Sequence, residues 1–202
     1  MEKPTRMNRP TRRKRTRAPD AARLDALAWV HCALEVLAVR GIDGVRVEVL
    51  AKHLKVTKGS FYWHHQDRSA LLDAMLQEWR RRATLGIIER LESTHEPASK
   101  RLARLLRLQF DARHAEAGAE IELSVRLWAR HDPKAQRVLE EIDELRLRYI
   151  SKLLEESGSP AEAARARAVL IYCYMRVSRS LTGPGVDQST IQLCERLLTE
   201  AR

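Results

Sequence analysis

The sequence predicts an all-α protein. Its 202 residues include only 8 Gly and 7 Pro, and alternating runs of β-branched residues are few. Leu, Ala and Val instead recur at helical spacing over long stretches. Apolar content of 44% suits one or two compact domains. Aromatics make up only 5%, so aliphatic side chains must fill most of the core.

Residues 1–19 hold Pro4, Pro10 and Pro19 around Arg12-Arg13-Lys14-Arg15. Such a segment buries too little apolar surface to fold alone, so a disordered basic arm is expected. Asp20 is the expected N-cap of a first helix. Its stripe runs Leu24, Leu27, Ala28, His31, Leu34, Leu37, Ala38, and Gly41 is the expected residue after its end. His31 on that stripe reads as a core or half-buried imidazole. A second helix is expected over 47–54 and a third over 58–64. Asp67 caps a fourth, which carries Leu71, Leu72, Met75, Leu76 and Trp79 and closes near Arg80-Arg81-Arg82. A fifth opens at Pro97, carries Leu102, Leu105, Leu106 and Phe110 inward and breaks at Gly118. A short helix around Ile121 to Trp128 follows and stops at His131-Asp132-Pro133. The next reaches about Ser157. Another spans 160–182, with Val169, Leu170, Cys173 and Val177 on its apolar stripe. Gly183-Pro184-Gly185 turns the chain into a last helix over 186–201.

This organisation gives four segments: a basic arm over 1–19, a three-helix unit over 20–66, a connecting helix over 67–84 and a helical body over 85–202. The formal net charge is +10, and it is not evenly spread. Residues 1–23 carry nine Lys/Arg against two acids, whereas 85–202 is nearly neutral. A polyanion partner is the natural reading of the basic end, although an anionic membrane surface would attract it too. The arm itself is either a solvated leader or an extension touching phosphate or the minor groove. Cys32, Cys173 and Cys194 are an odd number at long spacing, so neither a disulfide framework nor a zinc site is indicated. They read as core thiols in a reducing compartment. There is no membrane-spanning apolar run and no secretory leader, so a cytoplasmic protein without metal or other cofactor is expected.

The most informative stretch is Leu50 to His64. It reads as two short helices joined by a tight turn. At ~100° per residue, Lys58, Gly59, Tyr62 and Trp63 share one arc, and Phe61 points oppositely, toward Leu50 and Leu54. Two adjacent aromatics cannot both face inward from so short a helix. The outward arc therefore needs an external partner, and a DNA major groove fits it. Lys58 can reach guanine acceptors or phosphate, Gly59 permits close approach, and Tyr62 offers a hydroxyl and a ring. Thr57 is expected to cap the helix, whose N-terminal amides attract phosphate.

Gly41-Ile42-Asp43-Gly44, Leu50-Ala51, Val56-Thr57-Lys58-Gly59-Ser60-Phe61-Tyr62-Trp63-His64 and Leu71-Leu72 together resemble the tetracycline-repressor (TetR) family of transcriptional regulators over residues 24–80. The resemblance implies a homodimer on a pseudo-palindromic double-stranded DNA operator, with the third helix of each subunit in a major groove. By motif position it implies DNA contacts from Thr57, Lys58, Gly59, Ser60, Tyr62, Trp63 and His64, and from Arg68 to phosphate. Three positions depart from the family pattern. Arg46 stands where a Ser or Thr usually caps the second helix, losing roughly 1 kcal/mol but adding a possible phosphate contact. Lys55 stands where the turn usually carries Gly, which costs about 1 kcal/mol at positive φ. His65 stands where Phe usually packs, and its ring either enters the core or turns toward DNA.

The resemblance also implies an inducer pocket in the body and a dimer interface built from the helices 160–182 and 186–201. Their apolar stripes fit a four-helix dimer bundle. Candidate lining residues for the pocket are Phe110, Trp128, Tyr149 and Tyr174, with Arg126 and His114 as polar anchors, and the small-molecule inducer is unidentified. A ligand-responsive repressor is the leading expectation. A ligand-independent architectural or accessory DNA binder is the alternative. An enzyme is not expected, since no nucleophile–base, metal-ligand or glycine-rich phosphate motif is present. The acidic group Glu140, Glu141, Asp143, Glu144 reads as a solvated helix face.

Overall fold

The computed structural model describes residues 25–108, 112–177 and 187–199, with the side chains of 112–117 and 188 excepted. Helix α1 (Ala26–Gly44) starts where the Asp25 carboxylate accepts the Ala28 amide at 2.8 Å. The expected cap, Asp20, lies outside the described residues, and Asp25 takes that role. Regular geometry breaks at Gly41, whose φ of +66° suits a residue without a side chain. Helix α2 (Val47–His53) follows Arg46, which offers no side-chain cap and donates its Nε to the Asp43 carbonyl at 2.9 Å. Lys55 then turns the chain at φ +56°. Helix α3 (Lys58–Phe61) is shorter than the expected 58–64. The amides of His64 and His65 both return to the Phe61 carbonyl at 2.9 Å, so the helix closes as a turn.

Helix α4 (Arg68–Arg80) is capped by Asp67, which accepts the Ala70 amide at 2.8 Å. It does not stop at the arginine triplet. A π-turn over Arg81–Leu85 carries it into α5 (Gly86–Glu92), so one interrupted rod joins the three-helix head to the body. π-turns inside α-helices often mark functional positions. The body adds α6 (Ala98–Leu108), α7 (Ala112–Ala129), α8 (Pro133–Glu156), α9 (Ala161–Val177) and α10 (Gln188–Thr199). The break expected at Gly118 is absent, because α7 runs straight through it. A helical glycine costs only about 1 kcal/mol relative to Ala, which packing along a long helix offsets. Asp132 caps α8 through the amides of Lys134 and Ala135, and Pro133 opens it. The Gly183-Pro184-Gly185 turn lies outside the described residues.

Two cores follow. In the first, Trp29, Leu37, Leu50, Phe61, Leu71 and Met75 pack with Val125, Trp128 and Ile142 of α7 and α8. Head and body therefore share one apolar interior. In the second, Leu102, Leu106, Ile150, Leu153, Leu154 and Ile171 tie α6, α8 and α9 together. Helix α9 buries Ala164, Ala168, Ile171 and Tyr172 and turns out Val169, Leu170, Cys173 and Val177. Cys32 is the one buried thiol of the three, so the expectation of core thiols fails at exposed Cys173 and half-buried Cys194. Among the described residues no helix is long and apolar enough to cross a membrane.

Lys55 holds a backbone conformation that glycine adopts at lower cost. Lys55→Gly should raise the urea midpoint by an amount worth about 1 kcal/mol. A lowered midpoint would mean that the lysine side chain makes a stabilising contact outweighing the strain.

Candidate nucleic-acid interface

The geometry of the head begins with Phe61, which is fully buried. Its ring meets Trp29 edge-on at 5.3 Å and stacks on His65 at 5.5 Å. This anchor fixes the rotation of α3 about its axis. Tyr62 and Trp63 are then left 63% and 88% exposed, which is far from core burial. Lys58, Gly59 and His64 share this exposed side, and Ser60 is half-buried. A Cβ added at Gly59 would meet nothing nearer than Thr57 Oγ1 at 3.8 Å, and its φ is not positive. Among the described residues nothing requires glycine there. The His65 ring turns inward, 7% exposed, with Nε2 3.3 Å from the Ala26 carbonyl. Of the two placements open to it from sequence, the core one holds.

Several expected contact residues have partners within the head. Lys58 Nζ pairs with Glu48 Oε1 at 2.7 Å, and that bond holds the Glu48 carboxyl below its ordinary pKa. Thr57 occupies the N-cap position of α3 but makes no capping side-chain bond, contrary to expectation. Arg68 donates Nε to the Val45 carbonyl at 2.7 Å and Nη2 to the Ile42 carbonyl at 2.9 Å. It clasps α4 to the turn before α2, a structural role that its sequence position did not suggest. The bonds of Arg46 and Arg68 to main-chain carbonyls leave fewer of their donors for phosphate.

Behind the head, a polar cluster joins the rod to the body. Arg146 of α8 donates Nε to Thr84 Oγ1 at 2.8 Å and Nη2 to the Ala83 carbonyl at 3.2 Å, both in the π-turn. Its guanidinium lies 5.5 Å from the Trp79 ring centroid. The same group pairs with Glu122 of α7 through two bonds, at 2.9 and 3.0 Å. Arg126 grips Asp143 with two nitrogens at 2.9 and 2.7 Å, and Tyr172 donates to the same Asp143 at 2.5 Å. Arg176 completes the cluster 3.2 Å from Glu122. Burial alone would push the Glu122 carboxyl up, but Arg146, Arg176 and Arg126 hold it down at about 2. The rod is also tied to α1, where His31 Nε2 and Arg81 both bond the buried Glu78 at 2.8 Å.

The expected pocket residues that the structure describes are spread over the polar cluster and the two cores. Arg126 is spent on Glu122, Asp143 and Tyr172. Trp128 belongs to the first core and Tyr149 to the second, with Tyr174 packed against it. Phe110 and the side chain of His114 lie outside the described residues. A cleft of about 390 Å³ opens elsewhere, between α5 and α6. Of the acidic group on α8, Asp143 is drawn into the buried cluster, while Glu140, Glu141 and Glu144 stay exposed as expected. Among the described residues no group of His, Cys, Asp and Glu could hold a metal ion.

A family model described as "Bacterial regulatory proteins, tetR family" matches residues 30–75. The class D tetracycline repressor protein of Escherichia coli is 40% identical over 57 residues, which is 28% of this chain and 26% of that protein. The match thus spans about a quarter of the length of such curated relatives. The fold likeness is wider. A putative TetR-family regulator from Rhodococcus sp. superposes with a TM-score of 0.66 at 20% identity, covering 87% of this chain and 98% of that one. AibR, solved in complex with isovaleryl coenzyme A and operator DNA, superposes at 0.65 with 14% identity, covering 86% and 97%.

The cluster predicts an acid limb of stability. The folded-state pKa of Glu122 lies near 2, below its ordinary 4.5. Its contribution is therefore whole above pH 4.5 and is lost as pH falls toward 2. Glu122→Gln should lower the urea midpoint at neutral pH and flatten its decline across that window. An unchanged decline would place the acid sensitivity elsewhere.

Proposed function

Because the chain belongs to the tetR family of bacterial regulatory proteins, we propose that it is a ligand-responsive repressor that binds a pseudo-palindromic operator as a homodimer. The observation that carries this reading is the outward arc of α3, where Tyr62 and Trp63 stand exposed beside Lys58 and a glycine that nothing internal requires. In the proposed complex α3 enters the major groove. Lys58 exchanges Glu48 for a phosphate or a guanine, and Tyr62 and Trp63 meet sugar–phosphate and base edges. Thr57, Gly59, Ser60 and His64 sit along the same entry, and the free amides at the start of α3 face phosphate. Arg46 and Arg68 act mainly through backbone geometry. The basic arm of residues 1–19 adds phosphate contacts without sequence preference.

Dimerisation is supported by apolar surface that the chain leaves uncovered. Val169, Leu170 and Val177 on α9 and Leu193 and Leu197 on α10 are all at least 47% exposed. Stripes of this kind on two neighbouring helices are the material of an intersubunit four-helix bundle. The body is much larger than DNA binding requires, and its cleft supports a ligand-responsive protein over the ligand-independent architectural alternative. The α4–α5 rod supplies the coupling. A ligand that shifts α5 or loosens the Arg146 clasp re-aims the head, and differential affinity for the two arrangements makes the switch.

Tyr62→Ala should weaken specific operator binding by ~1–3 kcal/mol while leaving the fold intact. A gel shift against DNA upstream of the protein's own gene, with scrambled DNA as reference, measures it. Equal affinity of the unaltered protein for both DNAs would overturn the proposal. Deleting residues 1–17 should weaken binding to every sequence and flatten the dependence of log K on log salt. An unchanged slope would show the arm to be idle.

A further inference from the structure

The cleft between α5 and α6 has a composition that specifies its occupant. Each helix contributes the same pattern at i, i+3 and i+4: Ile87, Arg90, Leu91 from α5 and Arg104, Arg107, Leu108 from α6. With Thr94 these make a lining of three aliphatic side chains and three arginines, and among the described residues no carboxylate lines the cleft. Arg104 pairs with Glu96 at 2.8 Å, and Arg107 reaches Glu195 at a long 3.4 Å. Arg90 makes one bond, from Nε to the Gly86 carbonyl one turn back, and has no carboxylate within ion-pair reach among the described residues. The rim therefore carries a surplus of positive charge.

We propose that this cleft binds a single-chain amphiphilic anion, an alkyl chain carrying a phosphate or carboxylate head. A purely apolar ligand would cover the guanidinium groups without pairing them, and a cationic one would be repelled. An anion with a short chain satisfies both halves: the chain covers Ile87, Leu91 and Leu108, and the head accepts from Arg90 and its neighbours in the forked geometry that guanidinium favours. A volume of about 390 Å³ lies toward the small end of the ~300–1,000 Å³ typical of ligand sites, which fits a short chain. The α5 wall continues through the π-turn into α4, so an occupant pushes on the rod that aims the head. That consequence, unlike the binding itself, rests on the regulator reading above.

Isothermal titration of the full-length protein without DNA tests the binding. The probes are decyl phosphate, decanoate, decanol and inorganic phosphate, each below any micelle-forming concentration. Decyl phosphate or decanoate should bind at least tenfold more tightly than decanol and than inorganic phosphate, and the stronger of the two names the head group. The double variant Arg90→Glu, Arg104→Gln should lose at least tenfold for that anion with helical circular dichroism unchanged. If the double variant does not fold, Arg90→Gln alone should lose at least threefold. Decanol binding as tightly as both anions, or a folded variant binding as the unaltered protein does, would overturn the site. Operator release is then measured separately by adding the anion to the protein–DNA complex. Anion binding without release leaves the cleft assignment standing and counts against the switch.

Discussion

The burial of one ring, Phe61, sets everything the head presents. A helix of four residues has almost no stability of its own. Its orientation comes from the edge-on contact with Trp29 and the stack on His65. Once that ring is inside, the next two residues must emerge on the other side, and they are both aromatic. His65 preserves this arrangement where an apolar ring would be usual. It fills the position with a flat side chain whose polar edge finds the Ala26 carbonyl. The exposed aromatics are thus the geometric consequence of a packing constraint.

The same core extends into the body, because Val125, Trp128 and Ile142 pack onto the α1 side of the head. The two parts are continuous rather than joined by a flexible linker. What distinguishes the junction is the buried charge beside it. Guanidinium and carboxylate groups taken out of water are costly unless their hydrogen bonds are nearly complete. Here Arg146 spends its donors on Glu122, Tyr172, Thr84 and the Ala83 carbonyl. A greasy contact tolerates sliding, whereas this set of directional bonds favours one placement of the π-turn.

The surfaces divide the remaining work. The apolar side of α9 and α10 is uncovered among the described residues, the α5–α6 cleft gathers arginines and aliphatic side chains, and the head gathers exposed aromatics. These three surfaces lie on different helices. The Arg146 cluster ties the π-turn of the rod to the body, and the Asp73–Lys134 and Arg80–Glu141 pairs tie α4 to α8 at the rim.

The sequence by itself determined the all-helical class, the cap at Asp67, the inward Phe61 and the outward Tyr62 and Trp63. Each of these follows from neighbours within a few residues, where spacing and backbone chemistry suffice. Tertiary structure alone decided the rest. Gly118 stays helical because packing overrides a weak propensity, and α9 turns Val169 and Leu170 outward because Ile171 and Tyr172 meet α8 first. Arg68 and Arg146 become clasps because distant carbonyls arrive beside them. Trp128 and Tyr149 enter different cores, since helical periodicity shows that a side chain faces inward but not which of two cores it enters. Contacts of long sequence separation depend on how helices cross, and no local pattern of residues carries that information.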